Sequence, residues 1–432
     1  MSFESTDNYD DYQTYLKIKE SLRYDYKGID LAKPLSYDLI NLVLSKRTQG
    51  IKYAFLLLFL RIDARKFLAA FKMNDIVLST LFAGRKDYNE LVDSILDAVK
   101  GSVKVEINPH KKTLIPNLKA FRFFFLYIFS NQYLKQFSWS QKIYLVFKAM
   151  YFANQVDEMD KAFRGYDVVN KKYIPFNSAV GIEALMTLFL RKMGVDTYHI
   201  FHGIFGRYRI QIPNDIINGE GICAEHILPF GESTKADLIR DFNWDHNHIY
   251  IVGNPKYPKR SINVDTSFER CIVLGGFNFY DEPFSKLLVL LDTIASKSSV
   301  KFDVKPHPNS SILDFPSVTN CRNLKFLDRG MTIKELLESG LYDFAITFNT
   351  VTYYECMYYN LISLRYGKDE NLNFEGLEDR FYDEDSFYRI IESLKSRNID
   401  DLNKEMKTLL RRTIGMGVNN YQTVVDPSNK LG

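Results

Sequence analysis

The chain has 432 residues, with 56 Lys and Arg against 53 Asp and Glu and a net charge of +3. That length suits two domains, and so even a balance lacks the basic excess that a nucleic-acid binder relying on phosphate neutralisation usually shows. At 46% hydrophobic and 25% charged residues the composition is that of a globular protein and not of a disordered one.

The start, Met1-Ser2-Phe3-Glu4-Ser5-Thr6-Asp7, is acidic and polar and lacks the pattern of a signal peptide. The longest uncharged apolar run near it, Tyr53 to Leu60, is too short to span a bilayer. Cys223, Cys271, Cys321 and Cys356 are widely spaced, with no CxxC or Cys/His cluster, which argues against a zinc site. Cys223, Cys271 and Cys356 sit in apolar segments and are expected as buried thiols. All of this predicts a cytoplasmic protein.

Residues 1 to about 160 read as largely helical, with apolar spacings of three and four through Ala54–Phe71, Leu91–Val99 and Ile143–Phe152. Lys119–Phe129 is basic at one end and aromatic throughout. It reads either as a buried helix or strand, or as a surface that docks on a membrane or a lipid-linked acceptor. Such runs are more often buried, and Lys111, Lys112, Lys119, Arg122 and Lys135 nearby keep the second reading open.

From about 160 the pattern changes to strand, helix, strand. Lys172–Pro175, Thr197–Phe201, a short strand within Gly221–Pro229, and His248–Val252 read as strands, with helices over Ser178–Met193 and Glu232–Asp241. Such alternation predicts a parallel sheet with crossover helices. The polar stretch Lys256–Ser267 reads as a linker and divides a domain 1–258 from a domain 268–432. The second domain restarts with the strand Cys271–Gly276. A helix over Phe284–Ser296, the strand Val300–Val304, Lys325–Leu327, a helix over Thr332–Ser339, and the strand Phe344–Phe348 follow. Then come the helix Tyr353–Tyr359, the strand Leu361–Leu364, and two closing helices within Ser386–Leu410.

Three loops of the second domain follow strands and are expected on one sheet edge, where ligands of open α/β sheets bind. The first, Gly275–Pro283, brings Gly275, Gly276, Asp281 and Glu282. The second, Lys305-Pro306-His307-Pro308, locks a histidine between two prolines. The third, Asn349–Thr352, places Thr350 and Thr352 at a helix start, where free N–H groups and hydroxyls suit a phosphate; Glu355 follows one turn on. The combination predicts a metal-free nucleotide-sugar site with no other cofactor. No GxxxxGK[ST] and no GxGxxG occurs. In the first domain, His202-Gly203 follows a strand. His202 is a candidate general base, and Gly203, Arg207 and Arg209 are candidate acceptor-side residues.

Two αβ units, a basic linker and a nucleotide-binding second half resemble the GT-B glycosyltransferases. That resemblance implies two Rossmann-like domains facing each other across a cleft, here after a mainly helical N-terminal part. Lys305-Pro306-His307-Pro308 resembles the His-Pro motif of bacterial sialyltransferases and related capsule enzymes, whose histidine contacts the donor phosphate and acts as acid to the departing nucleotide. Tyr280-Asp281-Glu282-Pro283 lies where the lipooligosaccharide sialyltransferases carry an acidic pair that supplies the base, with Pro283 in place of their glycine. Phe348–Thr352 resembles their phosphate-binding motif, with threonines for serines. A second resemblance, through Phe201-His202-Gly203, Ala224–Ile227 and Val252–Pro255, is to teichoic-acid glycerophosphotransferases and capsule polymerases, in which the histidine before glycine is the base.

These resemblances imply an inverting, metal-independent transferase that moves a sialic-acid-like sugar from a CMP-activated donor onto a bacterial surface glycan. The alternatives are a CDP-polyol phosphotransferase, a UDP-sugar hexosyltransferase, and a non-catalytic scaffold in glycan assembly. The base remains one of Glu282, Asp281 and His202.

Overall fold

The computed structural model describes residues 9–44, 50–81, 86–111, 118–204, 214–275, 281–307, 321–328, 330–348, 350–367 and 375–426. The chain divides into two compact units, residues 1–256 with 419–432, and residues 257–418. Both are parallel-sheet α/β units, as the strand–helix alternation predicts.

The first unit opens with α1 (Tyr9–Ser21), the small ladder of β1 (Asp25–Tyr26) and β2 (Ile29–Asp30), α2 (Ser36–Leu44), α3 (Ile51–Leu57), β3 (Leu60–Arg61) and α4 (Ala64–Met73). Its sheet strands are β4 (Ile76–Thr80), β5 (Ser102–Glu106), β7 (Lys172–Pro175), β8 (Asp196–Ile200) and β9 (His226–Leu228). Between them run α5 (Lys86–Ala98), β6 (His110–Lys111), α6 (Leu118–Ser130), α7 (Trp139–Phe163), α8 (Gly181–Lys192) and α9 (Asn214–Glu220), and α10 (Glu232–Phe242) follows. The sheet order is β5-β4-β7-β8-β9, all parallel. Numbered along the sheet this is 2-1-3-4-5, the flavodoxin-like doubly wound order, whose switch point lies between the first and third strands. Here those strands are β4 and β7.

Two of these strands correct the reading of the first 160 residues as helical. All five residues of β4 are buried. A strand covered on both faces shows no polar alternation, and its short apolar run merges into the periodicity of the flanking helices. The stretch His248–Val252 also differs from expectation. It contributes one bridge, Ile249 to Ile227, after a 3₁₀ turn over His246–His248.

The second unit contains β10 (Arg270–Leu274), α11 (Asp281–Lys297), β11 (Lys301–Lys305), β12 (Leu324–Phe326), α12 (Ile333–Glu338), β13 (Phe344–Thr347) and α13 (Thr352–Tyr358). Then follow β14 (Ile362–Tyr366), β15 (Arg380–Phe381), α14 (Glu384–Ser396) and α15 (Ile399–Thr413). Its sheet runs β12-β11-β10-β13-β14-β15, with every pair parallel. That is the Rossmann order 3-2-1-4-5-6, with its switch point between β10 and β13. The closing helices have the sequence signals of helix starts. Asp383 caps α14 through the Ser386 N–H, and Asn398 caps α15 through the N–H groups of Asp400 and Asp401.

Two boundaries depart from the sequence reading. The stretch expected as a linker is tied down in the second unit. Tyr257, Ile262 and Val264 are buried, the Tyr257 hydroxyl donates to Glu355 at 2.6 Å, and the Val264 N–H donates to Asn403 at 2.9 Å. The chain end, expected in the second domain, returns to the first unit as α16 (Tyr421–Val425). Tyr421 and Val425 are fully buried there, and the Lys100 N–H donates to the Gln422 side chain at 2.6 Å.

A buried ion pair fixes the far side of the second sheet. Arg365 on β14 donates through Nε to Asp379 at 2.7 Å and through Nη2 to the Leu377 carbonyl at 2.8 Å. The Tyr353 hydroxyl also bonds Asp379, and the Leu377 N–H donates back to that hydroxyl at 3.0 Å. Gly376 is required by space, because a Cβ there would fall 2.2 Å from the guanidinium. Removing one partner leaves the other charge buried and unpaired. Asp379→Ala is therefore expected to lower unfolding free energy by about 3 kcal/mol or more in urea titrations. A loss below about 1 kcal/mol, the range of an exposed pair, would show that the pair does not hold β14 to β15.

Candidate functional site

In the second unit the site is built by β10 and its two neighbours. The Gly275 N–H donates to the Lys305 carbonyl at 3.2 Å, and the Phe348 N–H donates to the Leu274 carbonyl at 3.2 Å. The last rungs of the ladder thus bring the loops after β11, β10 and β13 side by side on one edge. Gly275 is a matter of space: an added Cβ would lie 3.0 Å from the Phe284 ring and 3.5 Å from the His307 backbone nitrogen. The Phe284 and Phe348 rings, 6.3 Å apart and both buried, floor this edge.

His307 is half-buried on the turn past β11. Lys305, expected as a donor contact, lies within β11 with its side chain only 4% exposed, so it belongs to the wall of the edge and not to its rim. Past β13, the hydroxyls of Thr350 and Thr352 are 3.2 Å apart, and the Thr352 N–H points to the Thr350 oxygen at 3.4 Å. Glu355, one turn into α13, accepts from Tyr257. Burial, then the Glu355 charge, holds that phenol well above its usual pKa, so it stays a donor.

Helix α11 begins at Asp281, three residues earlier than expected, so Asp281, Glu282 and Pro283 form its first turn. Proline is tolerated there because first-turn N–H groups have no intrahelical partner. The side chains of Asp281 and Glu282, and the residues Gly276, Pro308, Asn349, Arg207 and Arg209, lie outside what the structure describes.

The first unit carries a second polar cluster at its own switch point. His202 follows β8, stacks on Phe176 at 5.2 Å and meets Tyr88 edge-on at 5.3 Å. Gly203 beside it faces open space, with nothing within 4 Å of an added Cβ. Beneath them lies Glu183 from the first turn of α8, 1% exposed. It accepts from Ser79 Oγ at 2.8 Å and from the N–H groups of Phe176 and Asn177 at 3.1 Å each. Ser79 Oγ also bonds the Tyr173 hydroxyl at 2.7 Å. His199 accepts at Nδ1 from the Ser178 N–H at 3.3 Å, and burial, then the neighbouring His202, pushes its pKa down to about 3, so it is neutral.

Sequence reasoning missed Glu183, Ser79 and Tyr173. The signal present was a lone acid among the buried apolar positions Ile182, Ala184, Leu185 and Met186. Among the described residues no three His, Cys, Asp or Glu side chains gather as a metal site needs. A cavity of about 1090 Å³ also lies in the first unit, among Lys19, Arg191, Arg240 and Trp244. It opens where α8 ends and β9 begins, the sheet edge opposite the switch point.

No protein-family model matches this chain. No curated protein resembles it closely enough in sequence to show a relationship. Several solved structures resemble it in chain path. The lipopolysaccharide outer core galactosyltransferase WaaB does so at 10% identity and a TM-score of 0.46, over 82% of this chain and 99% of that one. The UDP-GlcNAc 2-epimerase from Neisseria meningitidis bound to UDP-GlcNAc does so at 10% identity and a TM-score of 0.45, over 82% and 98%. TarM matches at 11% identity and a TM-score of 0.42, over 64% of this chain, which spans 58% of TarM. At these scores the likeness carries no argument about function, and the site is argued from its own geometry.

Burial pushes the Glu183 carboxyl up to about 7, with the donors from Ser79, Phe176 and Asn177 pulling the other way. A folded pKa above the unfolded one means the folded state binds the proton more tightly. The stabilisation is full below the unfolded pKa, about 4.5, and is lost as pH rises through 7. Glu183→Gln removes this dependence. Between pH 4.5 and 8 the parent chain is expected to lose about 3 kcal/mol more unfolding free energy than the variant, read by urea titration at each pH. Parallel pH profiles would show that Glu183 does not titrate in that window.

Proposed function

We propose that the chain is an inverting, metal-independent GT-B glycosyltransferase that moves a sialic-acid-like sugar from a CMP-activated donor onto a bacterial surface glycan such as capsule or lipooligosaccharide. The observation that carries this reading is the convergence at β10. Gly275, His307 and the Thr350–Thr352 turn leave three adjacent parallel strands at a Rossmann switch point, where a nucleotide's phosphate is expected. In this reading the second domain holds the donor and the first supplies the acceptor side, through His202, Gly203, Arg207 and Arg209. The protein works in the cytoplasm at the inner face of the cell membrane.

The chemistry is a single displacement. An acceptor oxygen bonds the anomeric carbon while the bond from that carbon to the CMP phosphate oxygen breaks. The acceptor's proton passes to Glu282, Asp281 or His202. His307 and the hydroxyls of Thr350 and Thr352 hydrogen-bond the departing phosphate, and charge stabilisation there and orientation of the two substrates supply the rate. Glu355 and Gly275, with Gly276, Pro308 and Asn349, shape the nucleotide's seat.

His307→Ala is expected to lower kcat by roughly 10²-fold or more while the fold melts as before. Unchanged turnover would remove His307 from the mechanism. Thermal shift with CMP, CDP, UDP and GDP separates the donors. A nucleotide at 100 times its Kd stabilises by about 2.7 kcal/mol, and a preference for UDP or GDP would overturn the CMP-linked donor.

Comparison of Glu282→Gln, Asp281→Asn and His202→Ala identifies the base. The base variant is expected to keep CMP affinity and lose turnover, and if all three retain turnover the assignment is wrong.

A further inference from the structure

The first unit exposes apolar side chains on neighbouring helices. On α3, Tyr53 is 44%, Phe55 43% and Leu56 52% exposed; on α6, Leu126 is 55% exposed; and Trp139, which opens α7, is 64% exposed. These positions are joined by aromatic contacts. Phe55 meets Phe147 of α7 at 5.6 Å, Phe147 meets Phe121 at 6.5 Å, and Phe121 meets Phe125 at 5.9 Å. Phe125 stacks on Phe129 at 4.3 Å, and Phe129 meets Trp139 at 6.0 Å. A ribbon of rings therefore runs from α3 across α7 and along α6.

Charge decides what covers it. From Ile107 to Val156 the chain has no Asp or Glu, yet it holds seven Lys and Arg. The remainder of the chain, with 49 basic against 53 acidic residues, is net negative. Arg122 and Lys119 are exposed on α6, one and two helical turns from Leu126, and Lys135 is exposed between α6 and α7. The Lys142 ammonium lies 5.6 Å above the Phe129 ring. Apolar rings, an exposed Trp and the Lys and Arg side chains of this acid-free segment match an anionic bilayer interface, where aromatic rings sit at headgroup level and Lys and Arg meet the phosphates. No helix among the described residues is long and apolar enough to cross a membrane, so the contact is one of lying on the surface.

We propose that the face formed by α3, α6 and Trp139 docks the first unit on a membrane rich in anionic lipid. This deepens the glycosyltransferase reading by naming the surface that brings the acceptor side to lipid-linked glycan. It rests on that reading for its purpose only, because vesicle binding is measured without donor or acceptor and so fails or succeeds independently of transfer.

The test is flotation of the chain with phosphatidylcholine vesicles and with vesicles enriched in phosphatidylglycerol. Binding to the anionic vesicles, weakened by salt, is expected. Lys119→Gln with Arg122→Gln should weaken partition roughly fivefold per charge removed. Trp139 is one of two tryptophans, so in a Trp244→Phe background its emission should shift to the blue on vesicle binding. Equal partition onto both vesicle types, no partition, or an unshifted Trp139 emission would overturn the proposal. So would Leu126→Ser converting an oligomer to a monomer in light scattering, which would assign the face to a second copy of the chain.

Discussion

The backbone of β10 constrains everything at the candidate donor site. It is the central strand, parallel to β11 on one side and β13 on the other. Cys271, Ile272, Val273 and Leu274 are at most 1% exposed, and burial of the Ile, Val and Leu side chains stabilises the strand by about 1.5–3 kcal/mol each. The last rungs, Gly275 to Lys305 and Phe348 to Leu274, set where the flanking loops leave the sheet. His307 owes its place to that register as much as to its prolines. Gly275 lets Phe284 and the His307 backbone close over the strand end, and a larger residue would push apart the groups that a phosphate has to reach together.

The first unit solves the same topological problem with different chemistry. At its switch point stands a buried carboxyl, Glu183, spanned by Ser79 from β4 and by two N–H groups from the turn after β7. Three donors offset part of the desolvation cost of a buried acid. The arrangement fixes the Phe176 turn, and Phe176 in turn carries the His202 ring. Glu183 acts on the edge through that turn, which is a positioning role. One unit thus shapes its edge with glycine and backbone, the other with a satisfied acid.

The legible parts of the sequence were those with a local cause. The prolines around His307 and the apolar runs at Cys271–Leu274 and Phe344–Thr347 each act within a few residues. The unread parts depend on distant partners. Nothing in Ile76–Thr80 distinguishes a strand covered on both faces from a turn of buried helix. Nothing near Tyr257 announces Glu355, 98 positions away, so a polar stretch that looked like a linker is tied down. The return of α16 to the first unit is equally invisible, because Tyr421 and Val425 are buried by residues hundreds of positions earlier. For the candidate site, strand ends and loop order were readable. The seat of Lys305 inside the strand was not, since its burial follows from the faces of β11 being covered on both sides.

The aromatic segment shows where sequence and structure have to be combined. From the sequence, Lys119–Phe129 reads first as a buried segment, with a docking surface as the alternative, because both are rich in apolar residues. The structure divides its side chains: Phe124 and Ile128 are 2% exposed while Leu126 is 55% exposed. A purely structural helix would put charge of both signs on its outer face for solubility. This one keeps rings and positive charge there and excludes acids over Ile107–Val156. An acid-free α6 forgoes intrahelical ion pairs worth about 0.2–0.5 kcal/mol each, which fits the proposal that its outer face meets a negative surface.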